Sequence, residues 1–407
     1  MRINCRVCDG TVEAALDLGK QPLANGFLGP DEIAAERFTR LAVGMCDRCT
    51  TVQLIEEVKQ ELRYHDSYRY QASGSRGHRS HFEQDARRFI ATELAGPDPF
   101  IVEIGCNDGV MLETIARAGI RHLGIEPSAN VANAALAKGI RVHTRFFDEA
   151  AGHDIRATDG PADVIFGANT ICHIAHIGSL FRGVDALLAD DGVFVFEEPY
   201  LGTVIDRTAF DQIYDEHIFY FTVRSVQAIA AHFGFELVDA EHIAMHGGEI
   251  RYTIARPGRR RPAPAVAELL TAEKARGLAD PETLRRFTAT VERVRADLLS
   301  LLRRLRAEGR LVVGYGAPAK CTTVTNYCGI GPDLLPFVID STPEKQGLLV
   351  PGSHIPVVPP ETFTEKRPDF AVLFAWNHAE EIMAKEKWFT EAGGKWIVYI
   401  PQVHVAS

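Results

Sequence analysis

Short apolar runs and helical patterns alternate along most of this chain. From about Phe100 onward, apolar stretches of strand length lead into glycine turns and then into helical spacing of apolar residues. Residues 256–264, rich in proline, glycine and arginine, interrupt this alternation. Two long helical patterns follow, at about 265–278 and 281–308, and strand–turn–helix alternation resumes at Leu311. The pattern predicts an α/β fold in which parallel sheets carry helices on both faces.

The start of the second long helix is marked by its capping residues. Asp280 is a suitable N-cap, and Pro281 takes the first helical position, where its missing N–H costs nothing. The two helical patterns together predict a connector between a central α/β domain and a second one.

Amino-acid composition limits the number of domains and the classes of molecule that this protein could bind. The 407 residues favour two or three domains, and 46% hydrophobic residues supply ample core. The formal net charge of −10 argues against nucleic acid or an anionic membrane as partner, although a local basic pocket for a phosphorylated small molecule is compatible with it. No apolar run approaches the roughly 20 residues of a membrane span, and the first residues lack an apolar signal segment. We therefore expect a cytoplasmic protein.

Four of the eight cysteines form two C-x2-C pairs, Cys5 with Cys8 and Cys46 with Cys49. Each such turn directs two thiolates to one point, and two turns complete a tetrahedral shell of four sulfurs for Zn²⁺. A redox role would need a preceding strand, which the sequence does not indicate before Cys5. The alternative is four small core residues. Because a full thiolate shell leaves no open position, the pattern predicts a structural zinc site.

A first glycine turn follows the apolar run that begins at Phe100. Its motif is Glu-x-Gly-x-x-x-Gly, the form found in S-adenosylmethionine (SAM) methyltransferases, in which the acid partly neutralises the cationic methionine end of the cofactor. The G-x-G-x-x-G of a dinucleotide fold is absent. An acid that ends the next strand, 21 residues after the first glycine, is placed to bind ribose hydroxyls. The candidate cofactor-binding residues are Glu103, Gly105, Asn107, Gly109, Glu126 and Asn169.

Ionisable and aromatic side chains are mixed densely in residues 211–221, which indicates the wall of a cleft. His217 has the only unperturbed pKa near neutrality in this segment and is the natural general base. Glu216 would hold a substrate or raise the basicity of His217, and Tyr214 would donate a hydrogen bond. The alternative for His217 is a structural histidine.

Other candidates follow buried strands or lie at a domain junction. Asn169 and His173 follow one strand and Glu198 ends the next, so all three are expected at one crevice. A second polar and aromatic cluster at residues 64–70 lies where two domains meet, and Tyr68 is its favoured functional member.

A second glycine turn, Gly314-Tyr-Gly-Ala-Pro-Ala-Lys320, again joins a strand to a helix. Backbone N–H groups together with Lys320 would suit a phosphate or diphosphate, although this is not a Walker loop. The alternative is a helper domain with a vestigial turn. A later strand ends in residues 374–378, and the paired glycines after His246 could approach a ligand or form a tight turn. The candidate substrate-binding residues are Tyr315, Lys320, Asn377 and His246.

Taken together, these motifs resemble the SAM-dependent C-3′ methyltransferases of deoxysugar biosynthesis, the tetronitrose-forming enzyme in particular, over essentially the whole chain. The resemblance implies a monomer with a zinc-binding domain, a central Rossmann-like SAM domain and a C-terminal Rossmann-like domain that binds the thymidine diphosphate (dTDP) part of the sugar. We expect these at 1–65, 66–256 and 257–407. The family's catalytic base matches His217, and its supporting residues match Tyr68, His173, Tyr214 and Glu216.

The expected reaction is C-methylation at C-3′ of a dTDP-linked 4-keto deoxysugar, with or without a 3-amino group, in deoxysugar and antibiotic biosynthesis. His217 would remove the C-3′ proton to form an enolate. The alternatives are an O- or N-methyltransferase acting on an aminodeoxy sugar, an NAD-dependent nucleotide-sugar oxidoreductase, and a zinc-ribbon binding module without activity.

Overall fold

An antiparallel sheet begins the fold of the computed structural model, which describes residues 1–64 and 71–406. Its first elements are β1 (Arg2–Asn4), β2 (Thr11–Pro22), β3 (Phe38–Cys46), β4 (Val52–Leu54) and the short helix α1 (Gln60–Arg63). The expectation that no strand precedes Cys5 is wrong, because β1 does. It pairs antiparallel with β2, however, so it does not supply the βαβ context of a redox motif.

A seven-stranded sheet forms the centre of the molecule, in the order β11-β12-β9-β8-β5-β6-β7. The elements of this part of the chain are α2 (Arg76–Ala91), β5 (Phe100–Ile104), α3 (Leu112–Arg117), β6 (Arg121–Ile125), α4 (Ala129–Ala137), β7 (Val142–His143), α5 (Glu149–Asp159), β8 (Ala162–Ala168), α6 (Ile177–Leu187), β9 (Leu188–Pro199), α7 (Leu201–Asp206), β10 (Phe219–Tyr220), α8 (Val223–His232), β11 (Glu236–Ile243) and β12 (Glu249–Ala255). Strands β5 to β9 of this sheet pair parallel, and β11 and β12 add an antiparallel edge. All five residues of β5 are buried, as expected for a parallel strand covered on both faces.

The remaining chain forms a helical connector and a six-stranded sheet in the order β15-β14-β13-β16-β17-β18. Its elements are α9 (Pro264–Arg276), α10 (Pro281–Ala307), β13 (Val312–Tyr315), α11 (Ala319–Cys328), β14 (Val338–Ile339), β15 (Val357–Val358), α12 (Glu361–Lys366), β16 (Phe370–Leu373), α13 (Ala379–Lys385), α14 (Lys387–Glu391), β17 (Lys395–Val398) and β18 (His404–Ala406). Within this sheet, β18 runs antiparallel to its neighbour β17, and the other strands pair parallel. The two sheets rich in parallel strands, with the separate N-terminal sheet, confirm the predicted fold class.

Helix α10 follows its sequence pattern closely. The Asp280 side chain accepts a hydrogen bond from the N–H of Glu282 at 2.9 Å, and Pro281 is the first helical residue, as predicted. Buried apolar residues recur every three or four positions along one face of the helix, which is the period of an amphipathic helix. They are Leu284, Phe287, Val291, Val294, Leu298, Leu302 and Leu305.

Strand β10 belongs to a sheet whose other strands lie far before it in the chain, so the sheets do not correspond to consecutive stretches of sequence. It pairs antiparallel with β4, with Phe219 opposite Gln53 and Tyr220 opposite Val52, and so forms the fifth strand of the N-terminal sheet. The exact domain limits stay a prediction. Across the described ranges 1–64 and 71–406, no helix has the length and apolar character needed to cross a bilayer.

Candidate active site

The four cysteines of the two C-x2-C pairs converge. All four Sγ atoms lie within 4.8 Å of one another, and the Cys5–Cys49 and Cys8–Cys46 pairs are each 3.6 Å apart. A tetrahedron with Zn–S bonds of about 2.3 Å has edges of about 3.8 Å, so the cluster fits a zinc ion with a closed shell. Gly10 permits this approach, because a Cβ at that position would lie 2.7 Å from the Cys46 Sγ.

A large cavity of about 1330 Å³ lies apart from this cluster, where the N-terminal, central and C-terminal parts of the chain meet. The carboxyl ends of β5, β6 and β8 form one wall, and the glycine turn after β13 forms another. Gln212 and residues 214–217 also line the cavity, as do residues of the N-terminal part of the chain. The cavity therefore has room for two ligands held by different domains.

One end of the cavity is formed by the turn after β5. Glu103 is buried there, and its Oε2 has no hydrogen-bond partner among the residues that the structure describes. Burial raises the pKa of Glu103 well above its usual value, and the charges of Asp108 and Glu126 raise it further. A cationic amino group would stabilise the carboxylate, so this unpaired oxygen fits the methionine end of SAM. Gly105, at φ +73°, is required because a Cβ would lie 2.3 Å from the Thr170 Oγ1.

Glu126 lies beside this turn and also lines the cavity. Its carboxylate accepts hydrogen bonds from the backbone N–H groups of Asn107, at 3.1 Å, and Ser128, at 2.8 Å. A carboxylate offers about four acceptor positions, so capacity remains for ribose hydroxyls. Asn107 and Asn169 reach the cavity with left-handed backbones, at φ 50° and 51°.

Gly109, also predicted to bind the cofactor, does not line the cavity. Its φ is +75°, and an added Cβ would lie 2.3 Å from the Cδ1 of Ile140 and 3.0 Å from the Cβ of Ala135. Close packing against these residues, rather than contact with a ligand, accounts for the glycine.

The imidazole of His217 lies in the middle of the cavity wall, stacked among other rings. The centroid of the His173 ring is 5.1 Å away, with the planes inclined by 28°, and that of Tyr214 is 4.1 Å away. The Tyr64 hydroxyl and the Nδ1 of His173 are hydrogen-bonded at 2.6 Å. The Nε2 of His173 has no partner within the described part of the chain.

Burial changes the acid–base properties of both imidazoles. The pKa of His217 is lowered to about 3, mainly by burial and also by the charges of Lys320 and Arg63, and a hydrogen bond to the backbone of Gln212 opposes the change. Burial also lowers the pKa of His173 well below its usual value, helped by His217 and Arg63. The near-neutral pKa of an unperturbed histidine therefore does not apply to His217 in the folded protein. The ring is neutral at physiological pH and can accept a proton.

The N-terminal part of the chain contacts the segment at 212–217 in ways that the sequence did not predict. Arg63, on α1, donates hydrogen bonds to the backbone oxygens of Glu216, at 3.1 Å, and His173, at 3.4 Å. The Asn25 side chain donates to the Glu216 carboxylate at 2.6 Å. These residues contact the site only across a domain boundary, and no local pattern marks them.

Lys320 and Asn377 lie together on the opposite wall, as predicted, with the Lys320 Nζ 3.2 Å from the Asn377 Oδ1. The ammonium group also lies 4.3 Å from the centre of a Trp376 ring, whose indole N–H donates to Asp211 at 2.7 Å. Burial lowers the pKa of Lys320, and the negative charges of Asp211 and Glu249 oppose this. A buried cation at a glycine turn fits an anionic ligand.

The other residues near the second turn differ in whether they line the cavity. Tyr315 lines the cavity and donates its hydroxyl to Glu386 at 2.7 Å. Thr322 and Thr323 do not face a ligand, because they donate hydrogen bonds to the carbonyls of Ala24, at 2.8 Å, and Ile213, at 3.3 Å.

The remaining candidates from the sequence are Glu198, Tyr68 and His246. Glu198 does not line the crevice, contrary to expectation. It is buried and accepts hydrogen bonds from the N–H groups of Thr170, at 3.1 Å, and Cys172, at 3.0 Å, and so holds the loop after β8. Tyr68 lies outside the described residues. The backbone of His246 lies in a short 3-10 helix, and its side chain is outside the described part of the structure.

Comparison with protein families gives three matches in chain order. Residues 5–64 match a zinc binding domain, residues 76–240 a methyltransferase domain, and residues 244–401 a C-methyltransferase C-terminal domain. The chain is also 36% identical over 408 aligned residues to the C-methyltransferase NovU of Streptomyces niveus, covering 99% of this chain and 96% of that protein.

Solved structures resemble the chain more distantly. Magnesium protoporphyrin IX methyltransferase from Synechocystis PCC 6803 with bound SAM is 12% identical, with a TM-score of 0.33, over 44% of this chain and 80% of that chain. A SAM-dependent methyltransferase from Anabaena variabilis is 16% identical, with a TM-score of 0.34, over 42% and 83% of the two chains.

Proposed function

Since the chain belongs to the family of SAM-dependent C-methyltransferases with an N-terminal zinc-binding domain, we propose that its substrate is a dTDP-linked 4-keto deoxysugar methylated at C-3′. The family assignment removes the oxidoreductase, the inactive binding module and the O- or N-methyltransferase as alternatives. The observation that carries the sugar proposal is that His217 lines the same cavity as Glu103 and Lys320, and that the charge of Lys320 acts on its imidazole.

The two ligands have separate holders in this proposal. Glu103 pairs with the amino group of the cofactor, and Glu126 accepts hydrogen bonds from its ribose. Gly105, Asn107 and Asn169 shape the same end of the cavity. On the opposite wall, Lys320 pairs with the diphosphate of the sugar nucleotide, and the remaining candidates for that ligand are Tyr315, Asn377 and His246.

A carbon atom becomes nucleophilic only when it loses a proton. The 4-keto group acidifies the hydrogen on C-3′, and the neutral His217 accepts that proton, so that the electron pair of the C–H bond forms an enolate. The positive charges of Arg63 and Lys320 lower the pKa of His217 electrostatically, and the same charges stabilise an enolate beside it. Bound SAM would supply the methyl group that bonds to C-3′ of this enolate, and its sulfonium sulfur would keep the electron pair of the S–CH3 bond that breaks.

The supporting residues orient this step. Asn25 donates a hydrogen bond to the carboxylate of Glu216, and the Tyr214 ring packs against His217 with the two planes inclined by 39°. His173 is oriented by its hydrogen bond with Tyr64, which leaves Nε2 available for the oxygen of the ketone. Tyr68 joins this group by its resemblance to the family.

The variant His217→Asn tests the base. We expect it to lose methyl transfer and to lose exchange of the C-3′ hydrogen with deuterium from solvent, while S-adenosylhomocysteine still binds in calorimetry. Lys20→Gln, an exposed change on β2, is the control. Near-normal turnover in His217→Asn would reject His217 as the base.

Substrate identity is tested by incubating the protein and SAM with a panel of dTDP-4-keto sugars and detecting a mass gain of one methyl group. NMR of the product then locates the new methyl group. The ketone acidifies both neighbouring carbons, so a methyl group on C-5′ would contradict the proposed position.

A further inference from the structure

The buried side chain of Gln53 links the metal cluster with the strand that supports the catalytic segment at 212–217. Gln53, on β4, is fully buried, and its Nε2 donates a hydrogen bond to the Cys5 Sγ at 3.1 Å. Its Oε1 accepts a hydrogen bond from the backbone N–H of Arg6, which lies between the first two cysteines, at 3.0 Å. All the polar atoms of this side chain are therefore directed at the metal-binding turn.

The backbone of the same strand reaches the catalytic histidines. Gln53 is paired with Phe219 on β10, and the N–H of Leu54 donates to the carbonyl of Ile218 at 2.8 Å. The N–H of Ile218 donates in turn to the carbonyl of Cys172 at 2.8 Å. Ile218 directly follows His217, and Cys172 directly precedes His173. Strand β4 and its neighbours thus fix the backbone next to both imidazoles.

We propose that Gln53 is a positioning residue that connects the zinc–thiolate cluster to His217 and His173, so that the metal maintains the geometry of a catalytic site that it does not touch. The inference rests on the proposed role of His217. Gln53 does not line the cavity and has no contact with the reacting groups.

The physical reason is the sensitivity of proton transfer to position. A misplacement of about 1 Å can reduce catalysis about 100-fold, because the reacting atoms must be close and aligned. β10 has only two residues, so its position depends on β4. Strand β4 pairs with β3, and it also contacts the turn that contains Cys5 through Gln53 and Arg6. Without the metal, no bonds would hold the four sulfur atoms at one point, so this turn could shift and move β4 with it.

The test uses the full-length protein with Co²⁺ in place of zinc, because the energy of the sulfur-to-cobalt absorption band depends on the surroundings of the sulfur atoms. Gln53→Met removes the hydrogen bond to Cys5 while keeping side-chain length. We expect the sulfur-to-cobalt absorption band to shift to lower energy. We also expect at least a tenfold loss of kcat, with the affinity for S-adenosylhomocysteine unchanged within twofold.

Thr51→Val is the matched control. The Thr51 hydroxyl is also buried and lies 3.2 Å from a metal-facing sulfur, that of Cys49, but Thr51 is not paired with β10. This variant should shift the cobalt band and keep kcat within twofold of the parent. A shifted band with normal kcat in Gln53→Met would overturn the inference, as would equal losses of kcat in both variants.

If Gln53→Met fails to retain metal, the inference is tested on the parent protein instead. Coupling between two sites is reciprocal in binding free energy, so a sugar nucleotide held beside the two imidazoles should raise the affinity for zinc, measured in competition with a chelator. We expect a dTDP-4-keto sugar to raise this affinity several-fold and S-adenosylhomocysteine alone to leave it within twofold, and an unchanged affinity with the sugar nucleotide would overturn the inference. An active His217→Asn variant would reject the proposed base, whereas an inactive one beside a fully active, band-shifted Gln53→Met would reject only the role of Gln53.

Discussion

At the scale of single residues, the cavity contains ionisable groups whose charged forms are disfavoured by burial. Glu103 has a raised pKa, and His217 has a lowered one. The desolvation that causes both shifts is offset when a group of opposite charge enters the cavity. A cationic cofactor end would therefore restore the charge of Glu103, and an anionic substrate would offset the effect of Lys320 on His217.

Replacement of Glu103 by Gln should weaken binding of S-adenosylhomocysteine at least tenfold, because the buried partner of its amino group loses its negative charge. Below its raised pKa, Glu103 is protonated, and a cation binds the deprotonated form. The affinity of the parent protein should therefore rise with pH, with release of a proton on binding. Calorimetry at pH 6 and pH 8 measures this, with Glu83→Gln, on the surface of α2, as control. Equal affinities in the parent and Glu103→Gln would contradict the assignment.

The lowered pKa of His217 predicts an unusual pH profile. A base with a pKa of about 3 stays deprotonated throughout the neutral and mildly acidic range. With saturating SAM, kcat/KM for the sugar nucleotide should show no decline near pH 6.5 on the acid side. Lys320→Met should raise the pKa of His217, because a nearby positive charge is removed. A clear acidic limb near pH 6.5 in the parent protein would contradict the burial of His217.

At the scale of elements, local patterns predicted the strands, glycine turns and long helices, because side-chain periodicity and caps act within a few residues. Strand β10 could not be predicted in this way, since its two residues are ordered by β4, far away in the chain. The same limit applies within the site. His217, Glu103 and Lys320 have motif signals, whereas Arg63 and Asn25 contribute through contacts between domains. Burial, which determines the pKa of His217, is also a property of the assembled fold.

The paired glycines before β12 give an element-scale prediction. Gly247 has a φ of +95°, and a Cβ there would lie 2.9 Å from the Trp376 ring. Gly247→Ala should lower the free energy of unfolding by about 1–3 kcal/mol, from backbone strain together with displacement of Trp376. Gly258→Ala is the matched control, since its φ is +71° and no atom lies within 4 Å of the added Cβ. Denaturant unfolding should show the larger loss for Gly247→Ala, and equal losses would contradict the contact with Trp376.

At the scale of the whole molecule, the N-terminal and C-terminal parts also meet each other directly at the cavity rim. Leu28 and Leu349 form an antiparallel bridge, and Glu36 accepts a hydrogen bond from the N–H of Gly352 at 2.6 Å. The other Glu36 oxygen lies 2.9 Å from the Nε2 of His354. One side of the cavity rim is thus formed by a contact between two parts of the chain that are far apart in sequence.

Glu36→Ala should loosen this rim contact. Because the contact lies on the C-terminal side of the cavity, we expect KM for the sugar nucleotide to rise several-fold, while the affinity for S-adenosylhomocysteine stays within twofold of the parent. Steady-state kinetics and calorimetry measure the two quantities, and Glu13→Ala, at an exposed position on β2, is the control. Equal losses for both ligands would contradict a local role of Glu36.

The pairing of β4 with β10 also affects how the chain can be made and divided. On the ribosome, the edge of β4 stays open until residue 220 has been synthesised and has emerged from the exit tunnel. A fragment that stops before residue 219 would expose the backbone donors and acceptors of β4, and open strand edges promote aggregation. The metal-binding portion is therefore a poor module for transplantation, and recombination at its sequence boundary would separate a sheet from its own last strand.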